Sequence, residues 1–171
     1  MKRILLSIFT FISMLSAQAQ TCTPDLTLTK TGIFPPGATN WDSVAVMPIA
    51  TVGMMYDEVA QMLAPADTVI DTIIGGSPIK ITVTIDSLWL FDFVGLPSSM
   101  SVACNTLDCF MEGGDHACLR FMGTPTTSDV GNHIVRVRAA GVVSSPIGQL
   151  RDTINFLMSV EVQATQSVDE N

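Results

Sequence analysis

Between Thr153 and Val162 every second residue is apolar: Ile154, Phe156, Met158, Val160 and Val162 alternate with Thr153, Asn155, Leu157, Ser159 and Glu161. A period of two belongs to a strand with one face on a core, and it excludes a helix, whose faces repeat every 3.6 residues. Ile79, Ile81, Val83 and Ile85 repeat the pattern against Lys80, Thr82, Thr84 and Asp86. Leu88 and Leu90 then carry the apolar face onward with opposite parity, which predicts a bulge near Asp86-Ser87 or two successive strands. Val135 and Val137, between Arg136 and Arg138, make a further half-buried strand.

Thr, Val and Ile dominate these segments, as a pleated surface favours. Gly75-Gly76-Ser77-Pro78, Gly95-Leu96-Pro97, Gly123-Thr124-Pro125 and Val130-Gly131-Asn132 separate them. Short strands divided by such turns predict an all-β fold, a sandwich of antiparallel sheets. Only Tyr56 to Leu63 has the pattern for a helical turn or two.

The N-terminus has a different character. Met1-Lys2-Arg3 is basic, Ile4 to Leu15 is mostly apolar and Ala17-Gln18-Ala19 gives a small-x-small cleavage pattern, so residues 1–19 read as a signal peptide cut after Ala19. Ser7, Thr10 and Ser13 dilute a run already too short to span a bilayer. A lipoprotein is disfavoured, because Ala19-Gln20-Thr21 before Cys22 is not a lipobox. The chain is then an exported one, with residues 20–49 as an N-terminal arm carrying the first strand or strands, the sandwich in 50–162 and a polar tail in 163–171.

Of the 171 residues 47% are hydrophobic, too many for a disordered acidic tail. The net charge of −8 comes from eight Lys and Arg against sixteen Asp and Glu, the wrong balance for a nucleic-acid surface. Loss of Lys2 and Arg3 with the leader makes the exported chain more acidic still.

Four Cys behind an export signal predict two disulfides, of three connectivities. Cys104 with Cys118 is favoured, because they flank a hairpin between a strand from Ser99 and one from Leu119. Cys22 with Cys109 follows as the second pair. Zinc held by Cys104, Cys109, His116 and Cys118 is the rival, but the spacing fits no C-x-x-C knuckle and the compartment is oxidising. No metal or other cofactor is expected.

Neither His116 nor His133 lies in H-E-x-x-H, and no G-x-S-x-G or phosphate-cradling glycine loop occurs, so the chain is not read as an enzyme. Asp67, Asp71 and Asp86 are the best remaining calcium ligands and form no clear acidic cluster.

Val52-Gly53 with Tyr56, Gly95-Leu96-Pro97, Gly123-Thr124-Pro125 and Gly131 before an alternating strand together resemble the immunoglobulin-like, dystroglycan-type cadherin-like domain of bacterial surface proteins. The likeness covers roughly 50–162 and implies a Greek-key sandwich in which the Gly-Pro turns mark hairpins, with Pro97 and Pro125 at strand starts. Cys22-Thr23-Pro24-Asp25 with Cys104, Cys109 and Cys118 is similar to secreted proteins of Bacteroidota, and Ser167-Val168-Asp169-Glu170-Asn171 to the linker before a type IX secretion sorting domain. Asp42-Ser43-Val44, Asp67-Thr68-Val69, Asp71-Thr72-Ile73, Asp86-Ser87-Leu88 and Asp152-Thr153-Ile154 resemble O-glycosylation acceptors of the same organisms.

The family pattern has a short turn where this chain has Asn105 to Ala117, and insertions on a rigid sandwich are where recognition tends to sit. Asp108, Phe110, Met111, Glu112, Asp115 and His116 are therefore the expected binding residues, with Gly113-Gly114 supplying mobility. Phe110 is as well suited to tuck onto the sheet as to stand exposed. The expectation is a secreted or cell-surface module for binding, adhesion or spacing. Its partners would be an extracellular protein or glycan and the export machinery, with neither nucleic acid nor a membrane span. The alternatives are a stalk domain of a larger exported enzyme or adhesin, and a small hydrolase using Asp115 or His116.

Overall fold

The computed structural model describes residues 22–38, 44–74, 76–146 and 148–165, and the side chains of 72 and 74 are not among the parts described. Residues 1–19, which the sequence reads as a leader, the polar end 166–171 and residues 42 and 43 of the first Asp-Ser-Val triplet lie outside them. The chain is all-β. In order, the strands are β1 (Gly32–Phe34), β2 (Val44–Val46), β3 (Ala50–Thr51), β4 (Tyr56–Leu63), β5 (Asp67–Ile74), β6 (Ser77–Val94), β7 (Met100–Cys104), β8 (Phe110–Glu112), β9 (His116–Gly123), β10 (Gly131–Ser145) and β11 (Gly148–Gln163). Two short 3-10 turns, at Leu107–Cys109 and Thr127–Asp129, complete the described elements.

The smaller sheet has the order β1-β4-β9-β7 and the larger β2-β11-β10-β6-β5, with β3 also on β11 and β8 on β6. All pairings are antiparallel except those of β2 and β3 with β11. One core lies between the sheets, drawing Ala60, Leu119 and Phe121 from the smaller and Leu88, Val137 and Met158 from the larger, all at most 1% exposed.

β11 follows its alternation, with Met158, Val160 and Val162 buried at its C-terminal end. Between Val142 and Val143 the β10 register on β6 steps from Ser87 to Ile85, which leaves Asp86 as the extra residue. One long strand with a bulge at Asp86 therefore explains the reversed parity of Leu88 and Leu90. Tyr56 to Leu63 is β4 and not helical. Two β-branched or aromatic positions lead into Ala60, Met62 and Leu63, which are buried, and pairing along both edges overrides the weak local helical pattern. Burial, then Glu58, pushes the Tyr56 phenol well above its usual range, and its hydroxyl donates to the Pro48 carbonyl at 3.1 Å.

The Gly-Pro segments do not mark hairpins. Gly95-Leu96-Pro97 leads from β6 in the larger sheet to β7 in the smaller, and Gly123-Thr124-Pro125 leads back from β9 to β10. Pro97 accepts a bond from the Met100 amide and Pro125 from the Gly53 amide, so both sit in crossing turns and not at strand starts. Gly95 has φ +96°, and a Cβ there would lie 2.4 Å from the Ile134 carbonyl oxygen. Only glycine permits that turn and that approach.

Asp129 closes the second crossing. Its buried carboxylate accepts from the Thr126 hydroxyl at 2.6 Å, the Thr126 amide at 2.8 Å and Ser99 at 2.8 Å, and these bonds, Thr126 first, hold its carboxyl below the usual 3.8. A carboxyl depressed in the folded state contributes stability above its unfolded pKa and loses it as pH falls through the folded value. Urea titrations should therefore show stability falling below about pH 4. Asp129→Asn should be less stable at neutral pH with a flatter dependence below pH 4; an unchanged slope would show that another group governs acid unfolding.

Candidate functional site

The cysteines pair differently from expectation. Cys22 bridges Cys118 with a Cα separation of 6.0 Å, and Cys104 bridges Cys109 at 5.2 Å. The expected hairpin between Cys104 and Cys118 does exist as β7 with β9, but Cys104 stands opposite Leu119 in its register, leaving the buried Cys118 to receive the arm. Thr23 and Asp25 of that arm bond to Gln61, and His116 Nε2 lies 3.0 Å from the Leu28 carbonyl oxygen. His116 is therefore occupied in holding the arm.

Asn105 to Ala117 is not a free loop. After β7 the bridge Cys104–Cys109 closes a tight turn in which Asp108 and Cys109 both have φ 54°, a left-handed conformation that costs non-glycine residues energy and is held here by the bridge. The turn carries the chain across to the larger sheet, where β8 adds three residues to β6 before the chain returns as β9. Met111, expected to bind, is 1% exposed in the core, because β8 alternates and its middle residue faces inward beside Leu88. Asp115 accepts from the Glu112 amide at 2.8 Å, a turn contact. Gly113 is a packing residue, since a Cβ on it would meet the Ile85 carbonyl oxygen at 2.0 Å.

Phe110 is an expected residue that the fold leaves exposed on a sheet face. It stands 48% exposed on the outer face of the larger sheet, paired with Trp89, which is 49% exposed. The registers extend this pair across four strands into the row Phe110, Trp89, Ala140, Thr153. A parallel row on the same face runs Glu112, Ser87, Val142, Arg151. Ala140, between a tryptophan and a threonine, leaves a trough of about 510 Å³ walled by Trp89 and Phe110 on one side and by Arg151 and Thr153 on the other. That volume falls in the range of small-molecule sites.

A second hollow of about 770 Å³ continues past Trp89 toward Phe91 and the disulfide turn at Leu107 and Asp108. Trp89 and Phe91 rings lie 5.6 Å apart at 46°, and the Arg138 guanidinium sits 5.0 Å over Phe91 while meeting Asp92 at 3.3 Å. Arg136, Arg138 and Arg151 thus share this face of an acidic protein. Among the described residues Arg136 and Arg151 have no ion-pair partner.

Trp89, Phe91, Arg138, Arg151 and Thr153 lay outside the expected site. Trp89 and Phe91 were signalled as the residues that alternate with Leu88 and Leu90, but the distance in sequence hides that β6, β8, β10 and β11 are neighbours. His133, at 2.6 Å from the Asp129 carbonyl oxygen, is structural, as are Asp71, paired with Lys80, and Asp86, which accepts from Ser144 and Gln149. Among the described residues no group of three His, Cys, Asp or Glu is placed to hold a metal ion, and no helix is long and apolar enough to cross a membrane. Of the glycosylation triplets, Thr68 and Thr153 are exposed and Ser87 is half-buried.

No protein-family model matches the chain, and no curated protein matches it. Among solved structures, a family 123 glycoside hydrolase from Clostridium perfringens, described for its glycolipid glycan hydrolysis, is similar over 68% of this chain at 13% identity with a TM-score of 0.31. The match spans 22% of that enzyme's chain.

Proposed function

We propose that this protein is an exported, non-catalytic binding module with immunoglobulin-like Greek-key connectivity, and that it takes a saccharide in the trough beside Trp89. The order β1-β4-β9-β7 against β11-β10-β6 supports the connectivity, because it parallels the A-B-E-D and G-F-C sheets of that fold. Two disulfides support an oxidising compartment, where such bridges persist. Asp115 and His116 are engaged in a turn and in the arm, which weighs against a hydrolytic pair.

The row Phe110, Trp89, Ala140, Thr153 carries the reading. A pyranose ring has an apolar C–H face and a rim of hydroxyls. The trough offers the matching asymmetry, with an aromatic wall for the face and a guanidinium and hydroxyl for the rim. Exposed aromatic side chains beside convergent polar groups are the usual make-up of a ligand cleft.

The exported protein should bind on a glycan array. Trp89→Ala should weaken that binding at least about tenfold, a loss of ~1.4 kcal/mol, and Trp89→Phe should retain part of it. Trp89 is half exposed, so truncation spares the core and circular dichroism should be unchanged. Binding only to proteins on a parallel array, or equal binding by Trp89→Ala, would refute the saccharide assignment.

A further inference from the structure

The inward face of the larger sheet is not wholly covered. Leu150 and Ile154 occupy inward positions of β11 yet stand 42% and 36% exposed, and Val143, opposite Leu150 on β10, is half-buried. These residues border an apolar hollow of about 260 Å³. Its deeper wall is Val83, Ile85 and Leu88, each at most 6% exposed, and Pro65 of the connection from β4 to β5 also lines it. Left empty, a hollow of that size forfeits the contacts that packed side chains would make.

Two residues of one row open it. Leu88, Gly141 and Asp152 are paired across β6, β10 and β11, so their side-chain directions share a face. Gly141 contributes no side chain: a Cβ there would lie 3.4 Å from Leu88 Cδ2, on the side of the hollow. Asp152 falls where the alternation of Leu150, Ile154, Phe156 and Met158 calls for an apolar residue. It is the one charged residue lining the hollow. Among the described residues its carboxylate accepts only from the adjoining Thr153 amide, at 2.7 Å, and has no ion-pair partner. An absent side chain thus stands opposite an uncountered carboxylate, between apolar walls.

We propose that this hollow binds a small primary amine with an apolar body, its ammonium on Asp152 and its hydrocarbon against Val83, Ile85 and Leu88. Charge complementarity selects the cation. A carboxylic acid of the same shape would set two negative charges together, and a neutral molecule would leave Asp152 uncountered. The volume sets the size. A cavity of about 150 Å³ holds a benzene ring and drug-sized ligands take about 300–1,000 Å³, so about 260 Å³ suits one ring with a short amine arm. Leu88 and Trp89 point to opposite faces of β6, so the amine and the saccharide trough lie on opposite sides of the sheet.

Titration of the protein with 2-phenylethylamine, 2-phenylethanol and phenylacetate, followed through its methyl NMR signals, tests this. The amine should bind at least about tenfold more tightly than the alcohol, the scale of a hydrogen bond to a charged group, and phenylacetate should not bind. In Asp152→Asn the amine should lose that advantage while the alcohol keeps its affinity. Asp152 is exposed and asparagine has its shape, so the variant should keep the wild-type circular dichroism. Ring protons of the bound amine should give nuclear Overhauser contacts to the Val83 and Leu150 methyls. No amine binding, equal affinity for amine and alcohol, an amine preference that survives Asp152→Asn, or contacts to the Trp89 indole in place of those methyls would each overturn the proposal, whether or not a saccharide occupies the trough.

Discussion

Replacing Cys22 and Cys118 together by alanine should lower stability by about 4–5 kcal/mol, and lower Tm by roughly 10–20 °C for a chain of this size. The bridge joins residues 96 apart and closes 22–118 into one loop. Removing it restores to the unfolded chain the freedom that closure had removed. It also loosens the segment before β1, which the Gln61 and His116 contacts then help to hold on the smaller sheet. Replacing Cys104 and Cys109 gives a built-in comparison, since a separation of 5 corresponds to only about 2 kcal/mol in the same treatment. Guanidinium unfolding of the two double variants should rank them in that order; equal losses would mean that loop length is not what the long bridge acts through.

Met111→Ala should cost about 2–5 kcal/mol, the usual range for truncating a fully buried methionine. β8 is three residues long and has one inward side chain, so Met111 supplies nearly all of its grip on the core. Phe110 and Glu112 face out on either side of it. Loss of the methionine should therefore loosen the platform as well as the core, and saccharide binding should weaken along with stability. Phe110→Ala separates the two effects, because its ring is half exposed: binding should fall while the unfolding free energy stays within about 0.5 kcal/mol of wild type. A Met111→Ala protein of wild-type stability would remove Met111 as the anchor of β8.

These expectations show why the site was only partly legible. Phe110 was expected because it lies in an insertion that breaks a familiar spacing. Trp89 and Thr153 were not, although the row through Ala140 makes them its neighbours. Their adjacency depends on β10 lying between β6 and β11, a long-range pairing for which the local alternation carries no address. The disulfides show the same division. Two bridges among the four cysteines were expected, but their partners followed from the β7–β9 register, which sets Cys104 opposite Leu119.

Local periodicity by itself determined that the chain forms strands, which faces of β6, β10 and β11 turn inward, and that the inward face changes parity near Asp86, because side-chain direction in a strand depends only on counting by two. It failed at Tyr56 to Leu63, where the pattern was ambiguous and pairing on both edges decided for a strand. Only the tertiary structure decided that the Gly-Pro turns cross between sheets, that Met111 is core, and that Phe110, Trp89, Ala140 and Thr153 share a row. Each of these is a relation between segments distant in sequence, set by which strands pair and which backbones pass within touching distance.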